Sequence, residues 1–291
     1  MDVLLTVLGI AVVLIGLFDM YHSLLHPSGK GPLSARVLAA VWRLSRATGH
    51  RLGSAVGPAG MIAVVVLWVL LQGVGWALVY LPHVPGGFVY SSGVDPAEYP
   101  DAAEALYVSL VTLATLGFGD VVATDPWIRL ASPLEALTGF ALLTAALTWF
   151  TQIYPPLSRR RSLALELKSL ADVDYADGIG EEDPTTAARV LDGLAAEVAK
   201  ARIDFTQHTE TYYFQEEDPD LSLARQLSYA LELQERAAAS SARQVRTGAL
   251  RLGGALEHLA QKLAEDFLGP RGTPAEVFAA YAADHGREPR G

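Results

Sequence analysis

Three long apolar runs occupy the first half of the chain, and each is long enough to cross a membrane as a helix. The hydrocarbon core of a bilayer is about 30 Å thick, and a helix of roughly 20 residues spans it. The first run, Val3–Leu25, contains one charge, Asp19. The second, 56–81, contains none, and the third, Leu130–Ser158, contains only Glu135. This pattern predicts three transmembrane helices.

The first run has a second interpretation, because a cleaved signal peptide also has an apolar centre. It lacks the basic residues that precede such a centre and the A-x-A cleavage site that follows it. We therefore predict that residues 1–26 form a retained N-terminal transmembrane helix.

A further apolar stretch, 102–114, is compatible with a helix but too short to span a membrane. It is followed by Thr-Leu-Gly-Phe-Gly-Asp at 115–120, and then by the third run, whose helix we place at 129–152. Extended backbone at membrane depth is tolerated only where protein surrounds it or where it lines a watery cavity. The segment is therefore typical of a re-entrant pore loop that begins with a pore helix.

Lysine and arginine are spread unevenly over the connecting loops, and this predicts the orientation. The loop 83–128 has neither residue, whereas 27–55 has five and Arg159-Arg160-Arg161 follows the third run. Basic loops stay in the cytoplasm, so we predict an external N-terminus and a cytoplasmic C-terminal region in the plasma membrane.

The basic segment 27–55 contains its own helical pattern. Val37, Val41 and Leu44 share one face of a helix over 33–47, with arginines elsewhere. This predicts a cytoplasmic helix lying on the inner membrane surface. A solvated linker is the alternative.

The second half of the chain is densely charged. Residues 157–291 carry sixteen Lys/Arg and twenty-three Asp/Glu, against six and nine in 1–156. Helix start signals stand at Asp183-Pro184, Asp218-Pro219 and Thr273-Pro274. Apolar positions follow the first two at Leu191, Leu194, Val198, Leu227, Leu231 and Leu233. The fold class is therefore an all-α membrane protein with a re-entrant pore helix and a cytoplasmic helical bundle.

The composition argues against several kinds of ligand and site. The net charge of −10 argues against nucleic acid, which binds basic surfaces, and there is no cysteine for a disulfide or thiolate site. No nucleophile–base pair or metal-ligand set stands out, so we expect neither an enzyme nor a cofactor.

Residues 61–150 resemble prokaryotic potassium channels of the two-transmembrane pore-domain family, here with an extra N-terminal helix. The resemblance rests on Thr115-Leu116-Gly117-Phe118-Gly119-Asp120, with Thr112 three residues ahead, between an outer, a pore and an inner helix. It implies a selectivity filter at 115–120 within a pore domain at 56–156, whose outer helix is 56–81.

The resemblance also implies how the filter works. Backbone carbonyl oxygens of Thr115, Leu116, Gly117 and Phe118 bind K⁺ in place of its water shell, with the Thr115 hydroxyl at the inner end. Successive carbonyls face one axis only if alternate residues take left-handed angles, which Gly117 and Gly119 adopt without penalty. One chain supplies one filter strand, so we expect a homotetramer in the lipid membrane that conducts K⁺ passively.

The filter departs from the commonest family pattern. Leu116 and Phe118 replace the more usual Val and Tyr, and Val111 stands where some members have a glutamate paired with the filter aspartate. Asp120 needs another partner, and Tyr107 is our candidate. Because fewer side-chain contacts hold this filter, it is also a candidate for the gate that opens and closes the pore.

The inner helix contains further candidates. Glu135 is ionisable inside a span, which indicates a function, and we predict that it hydrogen-bonds behind the filter. Gly139 falls on the family's gating-hinge glycine; close helix packing is an equal alternative. In the same register Leu143, Leu147 and Thr151 face the central cavity.

Two further patterns bear on regulation. Asp19, His22 and His26 lie at helical spacing, and we favour an anchor for the helix end over a proton- or metal-responsive cluster. The spans lack regularly spaced arginines, so we predict no voltage sensor. The alternative functions are a weakly selective cation channel and a non-conducting membrane scaffold acting through the bundle, whose ligand or partner the sequence does not name.

Overall fold

The computed structural model describes residues 1–26, 30–270 and 272–290, and almost all of its elements are helices. The predicted segment 27–55 thus begins with three residues outside the described ones, and 157–291 includes two more. The helices are α1 (Asp2–Leu24), α2 (Pro32–Ala47), α3 (Val56–Tyr80), α4 (Asp101–Leu113), α5 (Pro126–Gln152), α6 (Tyr154–Asp172), α7 (Tyr175–Gly178), α8 (Pro184–Gln207), α9 (Leu223–Ala238), α10 (Arg243–Leu263) and α11 (Pro274–Asp284). Two short strands, β1 (Phe88–Tyr90) and β2 (Val121–Ala123), pair antiparallel.

Among the residues that the structure describes, three helical stretches are long and apolar enough to cross a membrane: Asp2–Leu24, Gly53–His83 and Pro126–Asp172. The predicted all-α membrane fold is therefore confirmed. The inner helix α5 begins three residues before its predicted start. Its first turn is capped by the Asp125 carboxylate, which accepts from the backbone N–H groups of Trp127 at 2.8 Å and Ile128 at 3.3 Å.

The chain divides into two compact units. The membrane unit consists of Met1–Val37 and Ile62–Thr151, and the helical unit consists of Leu38–Met61 and Gln152–Gly291. The predicted segments differ from this division at residues 38–61, which pack with the C-terminal helices.

Within the membrane unit, α1 packs on α3 along a narrow stripe of small residues. A Cβ on Gly9 would lie 2.5 Å from the Gly75 carbonyl oxygen, and one on Gly16 would lie 2.7 Å from the Gln72 side-chain nitrogen. That nitrogen donates to the Val13 carbonyl at 3.2 Å. Small residues permit this close approach of two apolar helices. The buried stripe on α1 comprises Gly9, Val13, Gly16, Met20 and Ser23, with Asp19 beside it.

Asp19 is completely buried and joins α1, α2 and α3. Its carboxylate accepts from the backbone N–H groups of Leu33 at 2.7 Å and Ser34 at 3.2 Å, from the Ser34 hydroxyl, and from the Trp68 indole at 2.9 Å. The first two donors belong to the first turn of α2, where the helix dipole favours a negative charge. Asp19 is therefore a structural anchor. His22 stacks instead on His26, with ring centroids 5.0 Å apart.

The helical unit is built on two helices with a heptad-like pattern. Steps of four and three residues alternate among buried positions, which places them on one face of each helix. These positions are Ala187, Leu191, Leu194, Val198, Ala201 and Phe205 on α8, and Val245, Ala249, Leu252, Leu256, Leu259 and Leu263 on α10. A Cβ on Gly248 of α10 would lie 3.0 Å from the Leu191 Cβ, so the two helices are in close contact.

Two of the three predicted helix starts are confirmed. Asp183 caps α8 by accepting from the N–H groups of Thr185 and Thr186, and Thr273 opens α11 in a capping box with Glu276. The signal at Asp218-Pro219 instead begins a short 3₁₀ turn, and α9 follows from Leu223.

The helix predicted over 33–47 is present as α2, but its packed face differs from the predicted one. Leu38 is 5% exposed and Trp42 is 3% exposed, whereas Leu44 of the predicted face is 64% exposed. The Trp42 indole donates to Asp284 at 2.8 Å, and this polar partner draws the ring into the protein. Contact of α2 with a membrane surface stays a prediction.

Asp284 is the acceptor that joins the segment 38–61 to the C-terminal helices. Besides Trp42, it accepts from the Tyr212 hydroxyl at 2.6 Å and pairs with Arg46 at 2.5 Å. The Tyr212 ring stacks on Phe267 with centroids 4.0 Å apart. Burial and the neighbouring Asp284 charge raise the pKa of Tyr212, so its hydroxyl stays a donor.

Replacing Asp284 by alanine leaves three donors without their shared acceptor. We expect Asp284→Ala to lower the free energy of unfolding by about 2–4 kcal/mol. Thermal melting of the purified full-length protein in detergent measures this. Glu232→Gln is the control, because it removes only the 3.7 Å surface pair with Arg236, worth less than about 0.5 kcal/mol. Equal melting temperatures for both variants would contradict the assigned role.

His285 is buried in the same region, and its Nε2 has no hydrogen-bond partner. Its ring lies against Trp42 and Tyr281, with both centroid distances 4.7 Å. Burial lowers its pKa well below 6.5, and the nearby charges of Arg160, His50 and Arg287 act in the same direction.

Because the folded pKa of His285 lies below the unfolded value of about 6.5, the unfolded chain binds more protons in acid. The stability that neutral His285 contributes is complete above about pH 6.5 and is lost as the pH falls below it. We expect the melting temperature to fall between about pH 7.5 and 5.5. His285→Phe, which keeps an aromatic ring, should reduce that fall, and exposed His258→Gln should not. An unchanged pH dependence in His285→Phe would show that other groups cause it.

Candidate functional site

The pore helix is α4, which begins one residue before its predicted start and ends at Leu113. One face of it is buried, including Ala105, Val108 and Ser109. Two backbone hydrogen bonds of 2.9 Å close the end of this helix. The Thr115 N–H donates to the Thr112 carbonyl, and the Leu116 N–H donates to the Val111 carbonyl.

Beyond the helix, alternate residues have left-handed backbone angles. The φ values are +55° at Thr115, +53° at Gly117 and +77° at Gly119. The expected angles at the two glycines are therefore present. A Cβ at Gly117 or Gly119 would meet no atom within 4 Å, so the backbone angle, and not crowding within this chain, is what favours glycine there.

Thr115 takes a left-handed angle even though it has a branched Cβ. Such an angle costs a residue with a Cβ roughly 1–2 kcal/mol. Strain of this kind is kept where the surroundings impose the conformation, and it concentrates at functional sites. The sequence named Thr115 for its carbonyl and hydroxyl oxygens, and its backbone strain is an additional reason to place it in the site.

The two apolar side chains between these positions are uncovered within one chain. Leu116 is 57% exposed and Phe118 is 65% exposed. Exposure of apolar side chains to water is unfavourable, so this face is a candidate for contact with another surface.

The exit of the segment is fixed by side-chain and backbone contacts. The Tyr107 hydroxyl donates to Asp120, as the sequence analysis expected, and this bond raises the pKa of Tyr107 to about 12. The Ser91 N–H donates to the Asp120 carbonyl at 2.8 Å. The sequence analysis did not identify the strand pairing of Tyr90 with Val121 next to this bond, for which β-branched and aromatic residues were the available signal.

Glu135 is completely buried and contacts the pore helix. Its carboxylate accepts from the Ser109 hydroxyl at 2.6 Å and from the Tyr80 hydroxyl, while the Ser109 oxygen also lies 2.9 Å from the Gly73 carbonyl oxygen. Glu135 thus connects α5 to α3 and α4. Sequence analysis did not name Ser109 and Tyr80, although a serine inside an apolar pore helix was a signal for a buried partner.

Gly139 lies directly against the end of the pore helix. A Cβ there would be 1.8 Å from the Leu113 carbonyl oxygen. Close packing, one of the two interpretations of Gly139, is therefore observed. Helix α5 continues without interruption through this position.

The remaining surface of α5 has little cover within one chain. Leu143 is 58% exposed and Leu147 is 60% exposed, and Thr151 is exposed as well. Buried positions recur mainly at every seventh residue: Ile128, Glu135, Leu142 and Trp149, with Ala146 between the last two. The predicted cavity residues are thus on open faces of an apolar helix.

Among residues 1–26, 30–270 and 272–290, no group of three or more His, Asp or Glu side chains is placed to hold a metal ion. The carbonyls of Thr115, Leu116, Gly117 and Phe118 and the Thr115 hydroxyl stay the predicted ligands of an ion.

Comparison with known proteins supports a membrane channel. Residues 62–154 match the family model described as "Ion channel". The "Uncharacterized membrane protein YdjJ" of Bacillus subtilis (strain 168) is 25% identical over 166 residues. That alignment covers 56% of this chain and 48% of the relative, so the chain spans about half of the relative's length. No solved structure matches.

The contact of Gly139 with Leu113 gives a direct test of its role. We expect Gly139→Ala to destabilise the protein by about 3 kcal/mol, because the overlapping atom belongs to the backbone and cannot rotate away. Yield of folded protein and melting temperature measure this. The control is Gly254→Ala in α10, where a Cβ meets no atom within 4 Å. Normal folding of Gly139→Ala with altered channel opening would favour a hinge instead.

Proposed function

We propose that this protein, whose residues 62–154 match the "Ion channel" family model, is one subunit of a homotetrameric potassium-selective channel. Its filter is 115–120, and K⁺ passes down its gradient through a column of backbone carbonyl oxygens. In this proposal the protein lies in the plasma membrane with its N-terminus outside and its C-terminal helices in the cytoplasm.

The alternation of left-handed angles at Thr115, Gly117 and Gly119 is the observation that carries the proposal. In an ordinary extended strand successive carbonyls point to opposite sides. When every second residue is left-handed, successive carbonyls are brought to the same side. Such a column supplies the oxygen atoms that replace the hydration shell of K⁺ when four chains surround one axis.

The uncovered apolar side chains support assembly from four copies. Leu116 and Phe118 leave the filter segment with more than half of their surface exposed. The open faces of α5, including Leu143 and Leu147, are equally uncovered. Neighbouring copies bury Leu116 and Phe118 in a ring, whereas Leu143 and Leu147 face its central cavity. A heterologous contact that closes by rotation gives such cyclic symmetry.

Charge around the site favours a cation. The loop 83–128 contains six Asp or Glu residues and no Lys or Arg. A surface of one sign raises the local concentration of the opposite ion. At the other end of the filter, α4 directs its partially negative C-terminus towards Ala114 and Thr115.

The side chains around the filter act as its supports in this proposal. Tyr107 holds Asp120 at the exit, and Glu135 holds the pore helix through Ser109. Thr112 accepts the N–H of Thr115 at the entrance. Because few side-chain contacts hold the filter, we expect the pore to open and close at the filter or through the helical unit. We expect no voltage sensor to control it.

Flux through liposomes tests the proposal. We expect the purified protein, reconstituted in liposomes, to pass K⁺ far faster than Na⁺, with block by Ba²⁺. Equal K⁺ and Na⁺ flux would favour a weakly selective cation channel. Absence of flux under every pH, lipid and voltage condition would favour a membrane scaffold.

A single substitution tests the assignment of the filter to residues 115–120. Gly117→Ala places a Cβ on a left-handed residue, at a cost of about 1–2 kcal/mol in each chain, and we expect it to abolish K⁺ flux. Gly86→Ala is the matched control, because this external glycine also has no atom within 4 Å of its Cβ position and no left-handed angle is recorded there. Both variants should insert into the membrane and elute as the unmodified protein does. Normal K⁺ flux in Gly117→Ala would refute the filter at 115–120.

A further inference from the structure

Glu104 is a buried carboxylate with one oxygen that lacks a hydrogen-bond partner. It lies in the first turn of α4, is 6% exposed, and its Oε1 atom makes no hydrogen bond. Burying an ionised carboxylate without compensation is costly, so such groups are paired, protonated or bound to a cation. The proposed filter mechanism does not use this residue.

Glu104 faces a cavity of about 340 Å³ at the external side of the pore helix. Tyr99, Tyr107 and Asp120 line the same cavity. One water occupies about 30 Å³ in the liquid, so the space accommodates an ion with several of its waters. The lining supplies two carboxylates and two phenol groups, and these are oxygen ligands.

No positive side chain in this part of the chain compensates the two carboxylates. The whole of 83–128 is described and contains no Lys or Arg, and its one histidine, His83, lies 3.5 Å from Asp125. The Tyr90 hydroxyl near Glu104 also lacks a hydrogen-bond partner. Burial and, next to it, the charge of Asp120 raise the pKa of Glu104.

We propose that Glu104 and Asp120 form a binding site for a divalent cation of the calcium type, with water completing the coordination. Hard cations select oxygen ligands, and Ca²⁺ accepts six to eight of them in flexible geometry. Two carboxylates with waters correspond to a weak site of about 10⁻⁴–10⁻³ M, the range of extracellular calcium modules. The cation neutralises the unpaired carboxylate beside the exit of the proposed filter.

Terbium luminescence tests the site without any measurement of conduction. Tb³⁺ takes the place of Ca²⁺ among oxygen ligands, and Tyr99 and Tyr107 in the lining transfer absorbed light to it. We expect the full-length protein in detergent to give a saturable Tb³⁺ emission that Ca²⁺ displaces. Glu104→Gln should weaken Tb³⁺ binding by about tenfold or more, as expected when a charged ligand is lost.

Glu98→Gln is the matched control, because Glu98 is exposed in the same loop, carries the same charge and does not line the cavity. It should leave Tb³⁺ binding unchanged. Asp120→Asn should weaken binding as Glu104→Gln does, so the proposal stays testable if one variant fails to fold.

Equal emission from the unmodified protein, Glu104→Gln and Glu98→Gln would overturn the site, as would emission that Ca²⁺ does not displace. In that case Glu104 is neutralised by a proton. This outcome is separate from the proposed function: a protein that conducts K⁺ without the site contradicts only the cation site. A protein that binds Tb³⁺ as expected but passes no K⁺ contradicts only the channel proposal.

Discussion

The close contact between the inner helix α5 and the end of α4 positions the start of the segment 115–119. Gly139 leaves no room for a Cβ beneath the Leu113 carbonyl, and the segment 115–119 begins two residues later. That segment has no ladder of its own to hold it, so its position follows from the helix before it. Glu135 reinforces the same contact by accepting from Ser109. A fully buried acceptor with two hydroxyl donors is costly to rearrange, which gives the pore helix a defined position.

Buried carboxylates organise both units by joining separate elements. Asp19 joins three helices in the membrane unit, and Asp284 joins the segment 38–61 to the C-terminal helices in the helical unit. In each case the acceptor satisfies donors that would otherwise be buried without a partner, such as an indole N–H or the amides of a first helical turn. Glu104 departs from this rule, and a carboxylate left unpaired among satisfied ones is a functional candidate for that reason.

The single chain is incomplete at the filter segment. Thr115, Gly117 and Gly119 take left-handed angles, and the side chains of Leu116 and Phe118 between them lack cover. An isolated strand with strain at Thr115 and exposed apolar side chains is unfavourable. In the proposed assembly around an axis, neighbouring chains bury the side chains, and the ions that the carbonyls bind offset the backbone strain. This is why we treat selectivity and oligomeric assembly as one proposal.

Local chemistry in the sequence determined the helices, the three spans, the caps at Asp183 and Thr273, and the left-handed angles at Gly117 and Gly119. Those features depend on hydrophobic period, cap residues and glycine, all of which act within a few residues. The tertiary structure alone decided the partners over long distances. Tyr80 and Ser109 meet Glu135, Trp42 turns into the protein towards Asp284, and Gly139 packs on Leu113. No local pattern encodes such pairs, because the burial of a polar group specifies that it needs a partner and not where along the chain that partner lies.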